Sequence, residues 1–171
     1  AAGPGSFTGV RIGVAAAKGF AWGRELPCYG VSTLEAMALQ AGVWQGYILP
    51  VMDARREQVY NALFHAKDGK TERLCPDRAI SLQELGEEIK NLSEPVFLIG
   101  DGSVLCYNTL KSTVPELVLP PEHRMHQRAA GVALAAGLQI AAGAPGDGAG
   151  LVPNYLRLSQ AERERLAREQ K

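Results

Sequence analysis

The chain has 171 residues, 46% of them hydrophobic and 21% charged, and its 18 basic residues balance its 18 acidic ones. These proportions are typical of an ordinary folded domain with a real core, and they exclude an intrinsically disordered chain. A net charge of zero gives no general attraction for nucleic acid, so an RNA-binding role would require a local patch or a partner.

The first 45 residues predict a loop, a helix, a strand and a second helix. The predicted elements are a glycine-rich loop over 3–9, a helix over 10–23, a strand over 26–31 and a helix over 33–41. Ser6 or Thr8 can cap the first helix, and the S-x-x-E spacing of Ser32 and Glu35 predicts a capping box before the second.

The middle of the chain alternates strands with helices. Strands are predicted over 46–53, 58–64, 71–75, 95–99 and 117–119, and helices over 81–92 and 102–111. Lys67-Asp68-Gly69-Lys70 predicts a hairpin turn, and Ser81 with Glu84 forms a second S-x-x-E capping box. This alternation, with one antiparallel hairpin, predicts an α/β fold.

The last third of the chain predicts one more helix and a charged tail. A proline-containing loop leads to an alanine-rich helix over 128–142, a glycine-rich loop over 144–150 and an extended stretch over 151–158. Charged residues dominate 159–171, which predicts a solvated helix.

Neither cysteine nor histidine spacing predicts a metal site. The three cysteines lie far apart, which excludes a Cys-x-x-Cys motif and is typical of a reducing compartment. His123-x-x-His126 follows two prolines in a predicted loop, so we expect no metal there. No apolar run reaches eighteen residues and no signal peptide opens the chain, so we expect a cytoplasmic protein with no membrane span.

The opening glycine loop has two interpretations. It resembles a phosphate cradle at a helix N-terminus, with Gly5, Ser6 and Thr8 as candidate contacts. It lacks the G-K-[ST] ending of a Walker A loop and the third glycine of G-x-G-x-x-G. The alternative is a tight loop whose glycines allow close backbone approach. A second glycine turn over 100–102, at the predicted end of a strand, lies where α/β sheets often contact nucleotides.

Two adjacent arginines, Arg55 and Arg56, follow the first long strand. Such a pair could bind phosphate or carboxylate groups, or it could form local ion pairs with Asp53 or Glu57. The sequence contains no nucleophile elbow, no Cys/His pair at motif spacing and no carboxylate dyad. As an enzyme acting alone, the chain is poorly equipped.

The first helix carries small side chains on more than one face. Gly13, Ala16 and Ala17 would let another helix approach closely, and Phe20 and Trp22 offer larger anchors. The alternative is internal packing on the sheet, which must use at least one face.

Four motifs in chain order resemble the TsaB (YeaZ) family, which helps to make N6-threonylcarbamoyladenosine beside the anticodon of tRNAs. The resemblance spans nearly the whole chain and rests on Gly3-Pro4-Gly5-Ser6-Phe7-Thr8-Gly9-Val10-Arg11-Ile12-Gly13 continuing to Gly19, Gly30-Val31-Ser32-Thr33-Leu34, Asp53-Ala54-Arg55-Arg56 with Val59-Tyr60, and Pro153-Asn154-Tyr155-Leu156-Arg157.

The resemblance implies an actin-like ATPase (ASKHA) fold of two related lobes and a function without catalysis of its own. Members of this family bind and activate the catalytic paralogue TsaD through two helices of the first lobe, a face that also supports homodimers. On this sequence those helices are 10–22 and 33–41, and the implied contacts are Gly13, Ala16, Ala17, Phe20, Leu34, Met37 and Ala38. A TsaE-like ATPase and tRNA, reached through the complex, are the other implied partners.

The chain departs from the family at its start. Family members begin with strands carrying an Asp-Thr-Ser-like segment, so we expect that the front of a longer protein is missing and that the first lobe lacks these strands. The expected divisions are 1–45 as the rest of the first lobe, 46–158 as the second lobe with its last helix packing back on the first, and 159–171 as the tail.

The missing opening strands affect what we expect of cofactor binding, and they bear on an alternative function for the chain. Without the opening strands we expect no cofactor, ATP included. The alternative is a nucleotide-binding ATPase of the actin-like superfamily acting on its own, with both glycine loops holding phosphates and Arg55 or Arg56 neutralising their charge. TsaD binds metal through H-x-x-x-H, whereas this chain has only H-x-x-H.

Overall fold

Six helices and seven strands form residues 1–157, which a computed structural model describes together with Arg165 and Arg168. The helices are α1 Phe7–Trp22, α2 Thr33–Ala41, α3 Leu82–Ile89, α4 Ser103–Leu110, α5 Glu122–Met125 and α6 Ala129–Ala141. The strands are β1 Gly46–Asp53, β2 Gln58–Asn61, β3 Phe64–Lys67, β4 Lys70–Arg73, β5 Arg78–Ser81, β6 Val96–Ile99 and β7 Leu117–Val118. The predicted tail helix lies outside the described residues, apart from the two arginines.

One seven-stranded sheet, centred on β1, organises the fold. β2 and β3 run antiparallel to β1 along one edge, while β6 runs parallel to it along the other and pairs in turn with β7. Val51 lies opposite Asn61 and Ile48 opposite Phe64, so the register is the same on both sides of the gap between β2 and β3. The predicted strand 58–64 therefore runs continuously beside β1, but its hydrogen-bonded pairing with β1 is interrupted between β2 and β3.

The break at Ala62 and Leu63 has a local cause. The Leu63 N–H donates to the Cys75 Sγ at 3.1 Å, and the Leu63 carbonyl accepts the Leu74 N–H at 2.8 Å. These bonds divert the backbone groups of Leu63 from β1 to the chain that follows β4. The predicted strand 71–75 ends at Arg73 for the same reason.

A layer of side chains covers each face of the sheet. On one face, α3 and α4 pack with buried residues that include Leu49, Val51, Leu85, Leu98, Cys106 and Leu110. On the other, α2 packs with Leu34, Met37, Ala38, Ile48, Phe64 and Ile99. Burial of such side chains contributes roughly 1.5–3 kcal/mol each, which makes these layers the main source of stability.

α6 lies against α2 with almost no gap. Gly131 is buried, and a Cβ built there would lie 2.1 Å from the Ala36 carbonyl oxygen. The Gln40 side-chain amide also donates to the His126 carbonyl at 2.7 Å. The helix of residues 129–141 therefore holds α2 onto the sheet from outside.

Sequence patterns placed most helix starts correctly. Ser81 and Glu84 form a complete capping box at α3, as predicted. Ser32 accepts the Glu35 N–H at 3.1 Å, but the Glu35 carboxylate lies 3.8 Å from Arg73, so half of the box predicted at α2 is present.

Three local predictions are wrong. Residues 26–31 form no strand, because their backbone bonds to distant segments are isolated ones, from the Ala2 N–H to the Val31 carbonyl and from the Asp147 N–H to the Cys28 carbonyl. The sequence did not predict β5, which has one buried side chain, Ile80, and is held by pairing with β2. The short helix α5 lies in the predicted loop before α6.

Candidate functional site

The helix α1 is an apolar helix that the structure leaves largely exposed, as it does the outer face of α6. Only Val14 and Ala21 of its sixteen residues are buried. Ile12, Phe20 and Trp22 are 65%, 62% and 82% exposed. Contiguous apolar surface of this kind marks an interaction site more often than it marks a monomer's solvent face.

Two glycines of α1 open onto empty space. A Cβ built at Gly13 or at Gly19 would meet no atom within 4 Å outside the helix's own backbone. Glycine lowers helix stability by about 1 kcal/mol relative to alanine, and nothing inside the described chain requires it here. Such positions suit the close approach of a second helix.

The loop before α1 sets the helix in place. Ser6 is its N-cap, because the hydroxyl oxygen accepts the Gly9 N–H at 3.4 Å, while Thr8 lies inside the first turn. The Thr33 N–H donates to the Gly3 carbonyl at 2.8 Å. Of the two predicted caps, Ser6 is therefore the one used.

The two charged side chains of α1 point to other parts of the chain. The Arg11 Nε donates to the Tyr155 hydroxyl at 2.7 Å, and its guanidinium lies 4.2 Å from the Phe7 ring centre. The Lys18 Nζ donates to the carbonyls of Ala149 at 2.9 Å and Leu151 at 3.0 Å. The outward face of α1 is consequently apolar.

These bonds hold a segment, residues 147–155, that we name the strap. It crosses α1 and also contacts the chain on either side of that helix. The Asn154 N–H donates to the Ala2 carbonyl at 2.7 Å, and the Asp147 N–H donates to the Cys28 carbonyl at 2.9 Å. The Asp147 carboxylate accepts the Gly150 N–H at 2.7 Å, which fixes the bend within the strap.

Two grooves separate α1 from the strap, one on each side of Lys18. The first, of about 850 Å³, lies between Gly19, Ala21 and Trp22 of α1 and the strap residues 147–149. The second, of about 700 Å³, lies between Arg11–Ala15 and the strap residues 151–155. The surface is thus a helix and a strap with a furrow between them.

The structure divides the predicted partner contacts into two groups. Gly13, Ala16, Ala17 and Phe20 are exposed on α1. Leu34, Met37 and Ala38 are not: their exposed fractions are 0%, 1% and 0%. We therefore correct the prediction for these three, because α2 is held between the sheet and α6 and its apolar face is used by the chain's own core.

The glycine loops approach each other at the end of β1. Gly5 and Gly102 both lie near Met52, since a Cβ at Gly5 would be 4.0 Å from the Met52 methyl carbon and one at Gly102 would be 3.3 Å from the Met52 nitrogen. The turn over 100–102 directly follows β6, as predicted. Close backbone packing accounts for the glycine at 102, in line with the second interpretation of such loops.

The adjacent arginines lie in a tight turn beyond β1. Arg55, Arg56 and Glu57 all have positive φ angles, of 65°, 57° and 58°. Arg55 pairs with Asp53 at 3.3 Å, which is one of the local ion pairs considered for it. Arg157 donates to the Ala54 carbonyl and closes the turn.

A groove of about 690 Å³ beside this turn has mixed charge. Both arginines line it together with three carboxylates, those of Asp53, Glu57 and Glu87. Acidic groups that outnumber the basic ones disfavour a polyphosphate in the same space.

Reactive groups are sparse in the part of the chain that the structure describes. No three His, Cys, Asp or Glu side chains there could hold a metal ion. Burial raises the pKa of the Cys106 thiol to about 12, so it stays protonated and unreactive.

No helix among the described residues is long and apolar enough to cross a membrane.

No role was predicted from the sequence for Arg11, Lys18 or Tyr155. The spacing of Arg11 and Lys18 was a usable signal. These two charged residues of α1 lie seven positions apart and hence on one face of the helix, which indicates a common neighbour. Tyr155 lay within a recognised motif, yet nothing local indicates that it meets Phe7 at 5.0 Å between ring centres.

Comparison with known proteins supplies the family. The family model for TsaD, tRNA N6-adenosine threonylcarbamoyltransferase, matches residues 1–164. The tRNA threonylcarbamoyladenosine biosynthesis protein TsaB of Bacillus subtilis is 37% identical over 163 residues, which cover 95% of this chain and 69% of that protein. TsaB of Escherichia coli is 45% identical over 78 residues, 39% of this chain and 33% of that protein.

Two solved structures from Pseudomonas aeruginosa share the fold. An uncharacterized protein with similarity to the peptidase YeaZ superposes with a TM-score of 0.71, covering 91% of this chain and 70% of the other at 23% identity. YeaZ itself superposes with a TM-score of 0.64, covering 91% and 71% at 23% identity. Together with the family match, these superpositions confirm the predicted actin-like α/β fold.

Proposed function

Because the chain belongs to the TsaB family and so has a role in tRNA threonylcarbamoyladenosine biosynthesis, we propose that it acts there as a non-catalytic partner that binds and activates the catalytic paralogue TsaD. The observation that carries the proposal is the exposure of α1. An apolar helix with two buried residues out of sixteen is costly to leave in water, and a partner helix would cover it.

The composition of α1 supports a helix as the covering element. Gly13 and Ala17 leave room for close backbone approach, and the exposed side chains of Ile12 and Phe20 offer area for anchoring. Large apolar side chains surrounding small ones are typical of well-packed interface centres.

The family match supports TsaD as the protein that supplies this helix. The model that matches residues 1–164 describes TsaD itself, so the two proteins are expected to share one fold and to carry corresponding first helices. Two related helices can pair about an approximate two-fold axis, as in an isologous dimer. The same geometry would let two copies of this chain pair when TsaD is absent.

The chemistry of the described residues supports a non-catalytic part. Among residues 1–157, His65 is the one histidine whose ring nitrogen forms a hydrogen bond. Its partner is the Glu94 carboxylate, 3.2 Å away on the surface. No serine or cysteine of that part is hydrogen-bonded to a histidine ring, so no activated nucleophile is assembled there. We therefore assign the transfer reaction to the paralogue.

The other partners follow from the same proposal. A chain with no net charge is not expected to hold tRNA alone, so tRNA would be reached through the complex. A TsaE-like ATPase would likewise act on the assembled pair, and the work of this chain would be done in the cytoplasm.

The test is a charged substitution on the exposed face of α1. Ala17→Arg should raise the Kd for purified TsaD by about 100-fold or more, because a guanidinium would be buried without a partner in an apolar interface. Val104→Arg, at an exposed apolar position on α4, is the matched control and should leave the Kd unchanged. Equal binding by the Ala17→Arg variant and the native chain would overturn the assignment of α1.

A further inference from the structure

We propose that the strap, residues 147–155, forms a second wall of the docking surface for the catalytic paralogue. This inference rests on the proposed function and deepens it. It assigns partner contacts to Val152 and Tyr155, and it makes Lys18 the positioning residue that joins the two walls.

The strap and α1 are tied together as one unit. Lys18 donates to two carbonyls of the strap, those of Ala149 and Leu151, at 2.9 and 3.0 Å. Arg11 donates to the Tyr155 hydroxyl at 2.7 Å. Since charge-assisted hydrogen bonds are the stronger class, these contacts fix the strap at two points along the helix.

The same unit includes the chain on both sides of α1. The strap residue Asn154 bonds the Ala2 carbonyl, and Asp147 bonds the Cys28 carbonyl. Gly3 packs so closely on Asn154 that a Cβ at Gly3 would lie 2.6 Å from the Asn154 carbonyl oxygen. A partner that binds α1 therefore meets a surface whose second wall is already in place.

The apolar surface of α1 continues onto the strap. Val152 is 66% exposed and Tyr155 is 43% exposed. The Tyr155 ring lies 5.0 Å from that of Phe7, itself 39% exposed at the start of α1. A helix lying along α1 on this side would reach both strap residues, with its side chains in the groove of about 700 Å³ between the two walls.

Charge selects a protein helix over RNA as the occupant. Both basic side chains of α1, Arg11 and Lys18, are turned toward the strap, where Arg11 donates one hydrogen bond and Lys18 donates two. The first groove, of about 850 Å³, is lined by Lys18 and by two carboxylates, those of Glu25 and Asp147, beside the apolar Trp22 and Leu26. The two grooves together carry two basic and two acidic side chains, which gives no net attraction for phosphates and leaves the apolar surface for a protein helix.

The first experiment compares two aspartate substitutions at exposed valines. Val152→Asp lies in the strap, and Val104→Asp lies on α4, where 49% of the side chain is exposed. We expect Val152→Asp to weaken TsaD binding by about 10-fold or more and Val104→Asp to leave the Kd unchanged. Unchanged binding by Val152→Asp would overturn the inference, as would a larger loss of tRNA binding than of TsaD binding.

The second experiment removes the tie itself. Lys18→Met keeps the aliphatic stem and loses the ammonium group. Lys111→Met is the matched control, since Lys111 also donates to two carbonyls, those of Pro115 and Leu117, at 2.7 and 2.8 Å. We expect Lys18→Met alone to speed amide hydrogen exchange in the strap and to weaken TsaD binding about fivefold, because the pre-organisation of the surface is lost. Faster exchange with an unchanged Kd would show a structural tie only and would overturn the positioning role.

A third variant separates this inference from the proposed function. Ile12→Asp changes α1 without touching the strap, at a position that is 65% exposed. If Ile12→Asp abolishes binding while Val152→Asp does not, the strap inference fails and the proposed function stands. If neither changes binding, both fail.

Discussion

Gly131 packs on Ala36 so closely that a single added carbon would lie 2.1 Å from the Ala36 carbonyl oxygen. This contact holds α6 against α2 and keeps the apolar face of α2 on the sheet. Since α2 is used inside the chain, α1 is left as the exposed apolar helix before the sheet. The sheet on one side of α2 and α6 on the other thus leave α1 as the predicted helix that can meet a partner.

Substitution of Gly131 tests that contact. Gly131→Ala should destabilise the chain by about 1–3 kcal/mol, because the added methyl forces the helices apart. Gly137→Ala, in the same helix, meets no atom within 4 Å and should stabilise it by about 0.5–1 kcal/mol. Denaturant unfolding of both variants measures the two effects, and equal signs would contradict this account of the contact.

The glycine at position 13 predicts a conflict between stability and binding. Gly13→Ala should raise the free energy of unfolding by about 1 kcal/mol, since the site is open and helical. If another helix packs there, the same methyl should weaken TsaD binding. A variant that gains stability and binds equally well would indicate that Gly13 faces solvent in the complex.

The cysteines should differ sharply in reactivity. Cys106 is buried with its pKa raised to about 12, whereas Cys28 and Cys75 are half-buried and unpaired. In the native chain a disulfide-exchange reagent should label Cys28 and Cys75 and spare Cys106 until unfolding.

The same pKa shift implies a pH dependence of stability. In the folded chain the Cys106 thiol keeps its proton more firmly than in the unfolded chain, where its pKa has the ordinary value of 9.0. The contribution of this thiol to the free energy of unfolding is therefore complete below about pH 9 and is lost as the pH rises toward about 12. Cys106→Ala should reduce the alkaline loss of stability, and an unchanged alkaline profile would contradict the assignment.

The capping box of α3 should weaken in acid. The pKa of Glu84 is lowered because the Ser81 hydroxyl, and then the Ser81 N–H, donate to its carboxylate. A lowered pKa gives stability that is present above the ordinary Glu pKa and is lost as the pH falls through the lowered value. Glu84→Gln should lower the melting temperature at neutral pH and have less effect in acid; equal effects at both pH values would contradict this.

Nucleotide binding offers a test of the rival function. Three carboxylates share the groove of Arg55 and Arg56, and Arg55 is already paired with Asp53. We expect calorimetric titration with ATP and Mg²⁺ to give no saturable heat at millimolar nucleotide. Saturable binding that is lost in Arg56→Ala would instead favour an ATPase acting on its own.

Local patterns predicted the elements whose causes are local. Ser81 with Glu84 marked the start of α3, and Lys67-Asp68-Gly69-Lys70 marked the hairpin between β3 and β4. Strand 26–31 failed because a strand needs a neighbour, and neighbours are set by topology rather than by the segment's own residues.

The candidate site was predictable only in part. The small residues of α1 indicated an interface, and their exposure agrees with that interpretation. The burial of Leu34, Met37 and Ala38 depends on sheet residues such as Phe64 and Ile99, which come later in the chain, and so could not be inferred from α2 alone. The tie from Lys18 to Ala149 spans 131 positions and leaves no local signal.

The central claim is best tested by reconstituting tRNA threonylcarbamoylation from purified components, with and without this chain. We expect that modification requires the chain when TsaD is present, that Ala17→Arg fails to restore it, and that the chain cannot replace TsaD. Full modification in the absence of the chain would contradict the account, and so would modification supported by the chain without TsaD.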